Sequence, residues 1–299
     1  MTVEKNYRKK WGDRRDARRV KMPGLQTVMA SLMPNRTDCE CYLDEKLDAT
    51  ELVKYLEEKN KDWEARGYKI TLFHCFAAAF ARMFRERPQL NYFVQGGAMY
   101  ERYDVSMAFV AKRRFTEHAE EALMFMVPKD EDTIFDIAKK IVGDVQEERK
   151  SEHATGGVDE LLDKFAAMPR PVMMFLIWII RCMDFWGVNP KFITDGDPNY
   201  SSIFMSNLGS IKCPSVYHHL NNYGTNSFMC TIGTLHREEV LMDDGHKEIR
   251  DIVEVGVTID ERIGDGFYFA RSLKLLKYIF AHPELLEKPL AEPSGFDYH

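Results

Sequence analysis

Hydrophobic and polar positions along this chain repeat with two different periods, which predict a mixture of strands and helices. Alternation with a period of two predicts strands at 37–43 and 251–260, and strands are also predicted at 105–111, 122–127, 201–207 and 226–234. Spacings of three and four residues predict helices at 24–33, 48–61, 133–150 and 266–280, and one more that begins at Thr71 and is stopped by Pro88. Strands and helices do not alternate strictly. We therefore predict an α+β fold, a two-layer sandwich with a large mixed sheet.

One uninterrupted apolar run, VMMFLIWII at 172–180, raises the question of a membrane. A helix that spans a bilayer needs about 20 apolar residues, whereas this run is shorter and ends at Arg181. We expect first a buried or subunit-packing helix. An interfacial helix and the wall of an apolar substrate channel stay open as alternatives, so peripheral membrane contact is open but not strongly indicated.

The overall composition indicates a folded protein with a core. Hydrophobic residues make up 45% of the 299 positions and charged residues 29%, which excludes global disorder. The net charge of −6 excludes nucleic-acid binding by overall charge. We predict a basic N-terminal arm at 1–20, one domain at 21–290 and a tail at 291–299. The segment 5–21 is strongly basic: it is expected to be a solvated arm or, alternatively, to contact coenzyme A phosphates, a membrane surface or an acidic subunit.

The cysteines and the N-terminus bear on metal binding and on the cell compartment. Six cysteines occur, and none forms a Cys-x-x-Cys pair or another zinc-ligand spacing, so no metal site is predicted. The polar, charged N-terminus does not resemble a secretory signal. We therefore expect reduced thiols in a cytoplasmic protein.

The heptad DERIGDG at 260–266 lies between a predicted strand and a predicted helix. It resembles the Asp-His-Arg-x-x-Asp-Gly signature of the catalytic domain of dihydrolipoamide acyltransferases from 2-oxo acid dehydrogenase complexes, whose fold is shared with chloramphenicol acetyltransferase. FMSNLG at 204–209 resembles that family's Thr-Ile-Ser-Asn-Leu-Gly strand, and Leu90-Asn91 resembles its Pro-x-Leu-Asn turn. The resemblance runs in order through nearly the whole predicted domain.

The resemblance implies a set of site residues. In the family the histidine of the signature is the general base, and a serine on the Ser-Asn-Leu-Gly strand donates a hydrogen bond to the oxyanion. Ser206 matches that serine, and Glu261 stands in place of the histidine. Asp265 matches the signature aspartate, which holds the loop and the neighbouring arginine. The positions implied to contact coenzyme A are Asn207, Gly209 and Arg262.

Glu261 leaves the activity itself open. Glutamate has an ordinary pKa near 4.3 against about 6.5 for histidine, but an apolar channel raises a glutamate's pKa and makes it a competent base. Alternatively, Glu261 pairs with Arg262 or another cation and is structural. His218 or His219 is a candidate replacement base if it faces the channel, and otherwise the two form a loop pair satisfied by backbone carbonyls. Ser206 has its own alternative, a strand-end serine that satisfies the following turn.

The function implied by the resemblance is acyl transfer from acyl-coenzyme A, a cosubstrate, without a metal or a lipoyl group. The resemblance also implies a homotrimer whose active sites lie between subunits. The chain has no room for a lipoyl domain, so we expect a non-lipoyl, small-molecule acceptor, and the apolar run favours a hydrophobic one. The alternative is a catalytically inactive homologue that acts as a trimeric binding or scaffolding protein.

Overall fold

A computed structural model of the chain describes residues 10, 12–64, 69–112, 121–150, 167–242 and 244–298. The strands are β1 (Ala17–Val20), β2 (Glu40–Asp48), β3 (Tyr92–Gln95), β4 (Ala98–Arg102), β5 (Met107–Lys112), β6 (Glu121–Met126), β7 (Ile203–Asn207), β8 (Phe228–Leu241) and β9 (Lys247–Asp260). The helices are α1 (Gly24–Leu32), α2 (Thr50–Glu64), α3 (Leu72–Glu86), α4 (Ile134–Lys150), α5 (Arg170–Trp186), α6 (Lys191–Thr194) and α7 (Gly266–Ala281).

A six-stranded sheet with the order β2-β9-β8-β7-β5-β6 forms one layer of the molecule. Strand β7 runs parallel to both β5 and β8, while the other neighbours are antiparallel. The predicted α+β class with a large mixed sheet is therefore confirmed. A second, antiparallel sheet with the order β1-β4-β3 was not predicted.

Helices α2, α3, α4 and α7 pack against one face of the large sheet. The core between them is dominated by α3, whose Phe76, Phe80 and Phe84 are almost completely buried. On β7, Ile203 and Met205 belong to this core. Because successive side chains of a strand point to opposite faces, Phe204 and Ser206 point to the face of the sheet that lies away from the core.

Two predicted strands have different bounds in the structure. The predicted strand 37–43 begins as a 3-10 helix at Arg36–Cys39, and β2 starts only at Glu40. Strands β8 and β9 extend well beyond their predicted ends into a long hairpin. The outer part of this hairpin is exposed and rich in charged residues, so it lacks the alternation of apolar and polar positions that marks a half-buried strand.

The folded body extends past both predicted domain boundaries. Strand β1 lies in the small sheet within the predicted arm, and the guanidinium of Arg14 lies 5.3 Å from the ring centre of Phe93. At the other end, Ser294 donates two hydrogen bonds to the carboxylate of Glu86, from its backbone N–H and its hydroxyl. Residues 1–9 and 11 of the predicted arm lie outside the described residues.

The apolar run at 172–180 forms most of helix α5, but none of its side chains is buried within the chain. The expectation of a buried helix is therefore wrong for the single chain. Subunit packing remains a prediction. Among the residues described, no helix has the length and apolar character needed to cross a membrane.

Candidate functional site

The heptad at 260–266 forms a tight connection between strand β9 and helix α7. Asp260 ends the strand, and its Oδ1 accepts a hydrogen bond from the Arg262 backbone N–H at 3.1 Å. Asp265 is the N-cap of α7, since its Oδ1 accepts from the Tyr268 backbone N–H at 2.7 Å. Two aspartates thus fix the turn between them, and Glu261 lies at its start.

Asp260 lies between two buried arginines. Arg262 binds its carboxylate through two hydrogen bonds, Nε to Oδ1 at 2.8 Å and Nη2 to Oδ2 at 2.7 Å. The Nε of Arg36 approaches Oδ2 at 3.7 Å, and all three side chains are at least 98% buried. The expectation that Asp265 holds the arginine is therefore corrected, because Asp260 takes this role.

The two arginines differ in how far the charge of Asp260 offsets the effect of burial on their pKa. Burial alone would lower the pKa of Arg262, but its hydrogen bonds to Asp260 and the charge of that carboxylate outweigh burial, so its pKa lies above the ordinary value. Burial lowers the pKa of Arg36, and the more distant Asp260 does not compensate for it. The carboxylate is thus bound mainly by Arg262. Its negative charge also stabilises the buried guanidinium of Arg36, although from a greater distance.

Arg262 has little capacity left for a ligand. Its Nη1 donates to the carbonyl oxygen of Met33 at 3.0 Å, and its other nitrogens bind Asp260. The side chain is only 1% exposed. The geometry therefore gives Arg262 a positioning role under the loop and does not support the predicted contact with coenzyme A.

Glu261 is exposed, whereas Arg262 is buried. The interpretation that it pairs with Arg262 is wrong, because Asp260 occupies that guanidinium. No described residue forms an ion pair with Glu261. The apolar surroundings that would make it a base are not supplied by the described residues of its own chain.

Ser206 begins a row of paired residues that crosses three strands. It pairs with Thr231 on β8, which in turn pairs with Gly256 on β9. Directly paired residues point to the same face of a sheet, so this row lies on the face away from the core. The Ser206 hydroxyl has no hydrogen-bond partner among the described residues, and the following turn is instead bonded by the Ser210 hydroxyl, which donates to the Asn207 carbonyl at 2.7 Å.

A segment around Val216 lies directly on this row. The Val216 N–H donates to the Thr231 hydroxyl oxygen at 3.1 Å, and that hydroxyl donates to the Val216 carbonyl. A side chain at Gly256 would overlap the Val216 carbonyl, and a Cβ at Gly233 would lie 2.6 Å from the Ser215 nitrogen. These glycines were not predicted, although a glycine inside an alternating strand is a signal of close backbone approach.

Replacing Gly256 by alanine should lower the free energy of unfolding by about 1–3 kcal/mol, as is typical when a packed contact is overfilled. The added methyl group would overlap the Val216 carbonyl oxygen and lie 3.0 Å from the Thr231 hydroxyl oxygen. It must therefore displace the Val216 segment. Urea unfolding of the two proteins measures the difference. Gly143→Ala is the matched control, since a Cβ there meets nothing within 4 Å in helix α4, and we expect it to be neutral or stabilising. Equal effects of the two substitutions would contradict the close approach.

Gly209 packs the Ser-Asn-Leu-Gly turn against the same region. A Cβ at Gly209 would lie 2.5 Å from the carbonyl oxygen of Gly233, so only glycine fits without displacing the backbone. Asn207 ends β7 and is half-buried. The structure thus gives Gly209 a packing role, and contact of Asn207 and Gly209 with coenzyme A stays a prediction.

Ser206 and Glu261 do not meet within one chain. Ser206 is level with Gly256 across the sheet, two strands away, and Glu261 lies five residues farther along the chain. A strand rises about 3.4 Å per residue and neighbouring strands are about 4.8 Å apart, so the two residues are roughly 20 Å apart. A site that uses both residues must therefore combine two copies of the chain.

The histidine pair lies toward the Glu261 end of the sheet. The Leu220 backbone N–H donates to Glu40, which pairs with Asp260 across β2 and β9. The Nδ1 atoms of His218 and His219 lie within hydrogen-bond distance of the carbonyl oxygens of His219 and Leu220, at 3.1 and 2.9 Å. Both rings are exposed. This arrangement supports the interpretation of a loop pair bonded to backbone carbonyls.

A cavity of about 190 Å³ lies beside the loop, between α1, the β3–β4 hairpin and α5. Its lining combines charged side chains with apolar ones, among them Arg36, Arg181, Asp184, Arg262, Val94 and Phe185. Helix α5 contributes only residues from its second half, after the run 172–180. The interpretation of that run as the wall of a substrate channel is therefore not supported by this cavity.

The described residues show no grouping of three or more His, Cys, Asp or Glu side chains that could hold a metal ion. All six cysteines are free. Burial raises the pKa of the Cys39 thiol, which lies near the heptad loop, so this cysteine is not a reactive thiolate at neutral pH.

Comparison with known proteins agrees with the geometry of the loop and the sheet. Residues 14–124 match the family model described as 2-oxoacid dehydrogenases acyltransferase (catalytic domain). The lipoamide acyltransferase component of the branched-chain alpha-keto acid dehydrogenase complex of Bacillus subtilis is 22% identical over 265 residues, which are 87% of this chain and 51% of that protein. The chain thus spans about half the length of this curated relative.

Solved structures share the fold across nearly the whole chain. A probable dihydrolipoamide acetyltransferase from Listeria monocytogenes superposes with a TM-score of 0.60 at 17% identity, covering 94% of this chain and 97% of that one. A dihydrolipoamide acetyltransferase from Azotobacter vinelandii gives 0.59 at 17% identity, covering 89% and 92%. The cubic core of a pyruvate dehydrogenase multienzyme complex gives 0.60 at 16%, with the same coverage. The resemblance to acyltransferase catalytic domains is therefore confirmed, and these structures establish the fold.

Proposed function

We propose that this chain, which has the fold of dihydrolipoamide acyltransferase cores, transfers an acyl group from acyl-coenzyme A to a non-lipoyl small molecule. The catalytic-domain match at 14–124 and the Bacillus subtilis relative support the acyltransferase class. The cavity beside the heptad loop has a mixed polar and apolar lining, which suits an acceptor with both kinds of surface. The apolar run at 172–180 does not line that cavity, so it no longer favours a purely hydrophobic acceptor.

The observation that carries the proposal is the separation of Ser206 and Glu261 in one chain. Each lies on a part of the sheet or loop that the helices leave uncovered, and neither has a hydrogen-bond partner among the described side chains. A ring of three copies joined head to tail would repeat one contact three times, and each contact would hold one site. A cubic core with this fold is known, and a cube has threefold axes at its corners.

In the proposed reaction, the acceptor's thiol or hydroxyl attacks the thioester carbonyl, and its proton passes to a base. Ser206 donates a hydrogen bond to the oxyanion that forms. Collapse of the intermediate breaks the carbon–sulfur bond, and the base returns the proton to the coenzyme A thiolate. Glu261 on the adjoining subunit is the proposed base, with His218 or His219 as the alternative.

One relative supports these positions. The Azotobacter vinelandii structure concerns the role of a serine, a histidine and an asparagine in the catalytic mechanism of that enzyme. Its histidine and asparagine are four residues apart, as are Glu261 and Asp265 here. By this correspondence Asp265, the N-cap of helix α7, matches the asparagine of that enzyme.

A second candidate function is a catalytically inactive, trimeric binding or scaffolding protein. The exposed Glu261 favours it, because a glutamate in water is a much weaker base than histidine. The two functions differ in a measurable way, since only the enzyme releases coenzyme A when an acceptor is present.

The test is release of free thiol from acetyl- and longer acyl-coenzyme A with a mixed pool of hydroxyl, amine and thiol acceptors, including dihydrolipoamide. We expect Glu261→Gln to lower kcat about 10²–10⁴-fold and Ser206→Ala to lower it about 10²–10³-fold. Glu261→His should retain or raise the rate, because it supplies a base with a pKa near neutrality. Glu57→Gln, an exposed glutamate on α2, is the matched control and should change nothing.

Three outcomes decide between the candidates. Thiol release that depends on Glu261 and Ser206 supports the enzyme. No release with any acyl-coenzyme A, together with no shift in thermal stability on adding coenzyme A, supports the inactive protein. Preference for dihydrolipoamide over all other acceptors would overturn the non-lipoyl acceptor while leaving acyl transfer intact.

A further inference from the structure

The outward face of helix α5 is apolar. Met174, Phe175 and Trp178 are 54%, 58% and 60% exposed, and Phe185 and Trp186 are 47% and 75% exposed. At 100° per residue, these five side chains fall within one sector of the helix. Surface helices of water-soluble domains carry polar residues on this face, so α5 has the reverse arrangement.

The orientation of α5 is fixed by a buried carboxylate at its C-terminal end. Asp184 accepts hydrogen bonds from the Tyr200 hydroxyl at 2.5 Å, the Gln95 amide at 2.9 Å and the Gly224 N–H at 3.0 Å. Asp184 is on the side of the helix opposite the exposed aromatic residues. The anchor therefore turns the apolar face outward.

Basic residues follow one edge of this apolar face. Arg170 and Arg181 are eleven residues apart, which is three helical turns, so they lie on the same line along the helix. Both are exposed, and so is Lys191 just beyond the helix. None of the three forms an ion pair with a described residue, and the one carboxylate of α5, Asp184, is buried. Within the described part of the chain, this edge of α5 is thus cationic on a protein whose net charge is −6.

We propose that α5 lies in the interfacial region of an anionic lipid bilayer, parallel to the membrane plane. Its outward face would enter the boundary between headgroups and acyl chains, where tryptophan is favoured. The arginine stems at the edge would extend along the apolar surface and place their guanidinium groups among lipid phosphates. Helix α5 has 17 residues and a length of about 25 Å, so it suits an interfacial position.

Charge complementarity favours an anionic bilayer as the partner of this face, because Arg170 and Arg181 lie along its edge. An anionic bilayer supplies an apolar phase and negative charge in the layers where α5 needs them. Apolar side chains are also exposed beyond the end of α5, since Val188 and Phe192 are 62% and 84% exposed.

The experiment is co-sedimentation of the full chain with vesicles of phosphatidylcholine alone and of phosphatidylcholine mixed with an equal amount of phosphatidylglycerol. We expect binding to the anionic vesicles that weakens as salt is added. Each Lys or Arg near an anionic surface contributes about 1 kcal/mol. The double variant Arg170→Gln with Arg181→Gln should therefore bind these vesicles about 30-fold more weakly.

The apolar face is tested by Phe175→Ser combined with Trp178→Ser, which should abolish binding to both vesicle types. The matched control is Leu241→Ser with Ile249→Ser, two equally exposed apolar residues at 67% and 71% on the β8–β9 hairpin, which should bind like the wild type. In a variant in which Trp11, Trp63 and Trp186 are replaced by phenylalanine, so that Trp178 is the one tryptophan left, lipids with brominated acyl chains should quench the fluorescence.

Two results would overturn the proposal. One is wild-type protein that stays in the supernatant with anionic vesicles. The other is a Phe175→Ser and Trp178→Ser variant that changes the oligomeric state in size-exclusion chromatography but still binds anionic vesicles like the wild type, which would identify α5 as a contact between copies. Thiol release is measured without vesicles, so this test stands or fails separately from the proposed acyl transfer.

Discussion

Replacing Asp260 by asparagine should lower the free energy of unfolding by about 3–5 kcal/mol, which is typical when one partner of a buried ion pair is removed. Asp260 is fully buried between Arg262 and Arg36. Without its charge, two buried guanidinium groups lose the only carboxylate bound to them among the described residues. Urea unfolding followed by circular dichroism measures the change.

The matched control is the same substitution five residues later. Asp265→Asn keeps an N-cap residue of nearly equal quality at an exposed position before α7, so its effect should stay within about 0.5 kcal/mol. Similar losses for the two variants would contradict the assignment of the buried charge to Asp260. The comparison also separates the two aspartates of the heptad, which the sequence motif alone treats alike.

Local pattern was sufficient to predict the long elements of this fold. Helix α3 starts directly after Thr71, where a helix was predicted to begin, and ends before Pro88, its predicted stop residue. The small sheet was missed because β1 and β3 have four residues each and β4 has five. Strands of this length contain too few alternations for a periodic signal, and their pairing depends on contacts distant in sequence.

The site could be predicted in part. The positions of Ser206 and Glu261 follow from the motifs, but the partner of Arg262 does not, since carboxylates stand at both of the two preceding positions. The turn after β9 decides between them, because it leaves Asp260 buried and Glu261 exposed. The exposure of α5 was also not predictable, because an apolar run of nine residues is equally compatible with burial inside the chain.

Co-refolding Ser206→Ala chains with an equal amount of Glu261→Gln chains should restore about one quarter of the wild-type activity, if three subunits form a ring with one site at each contact. Each proposed site takes Ser206 from one subunit and Glu261 from the next. In a random mixture, one contact in four joins an intact Ser206 to an intact Glu261. Neither variant alone should exceed a few per cent of the wild-type rate.

The result distinguishes a shared site from one within a chain. A site built from one chain would show no recovery, because every chain in the mixture lacks one of the two groups. The matched control is co-refolding of Glu261→Gln chains with the double variant, which contains no Glu261 and should remain inactive. Recovery requires contact between chains, and the roughly 20 Å that separates Ser206 from Glu261 along the sheet gives the physical reason to expect it.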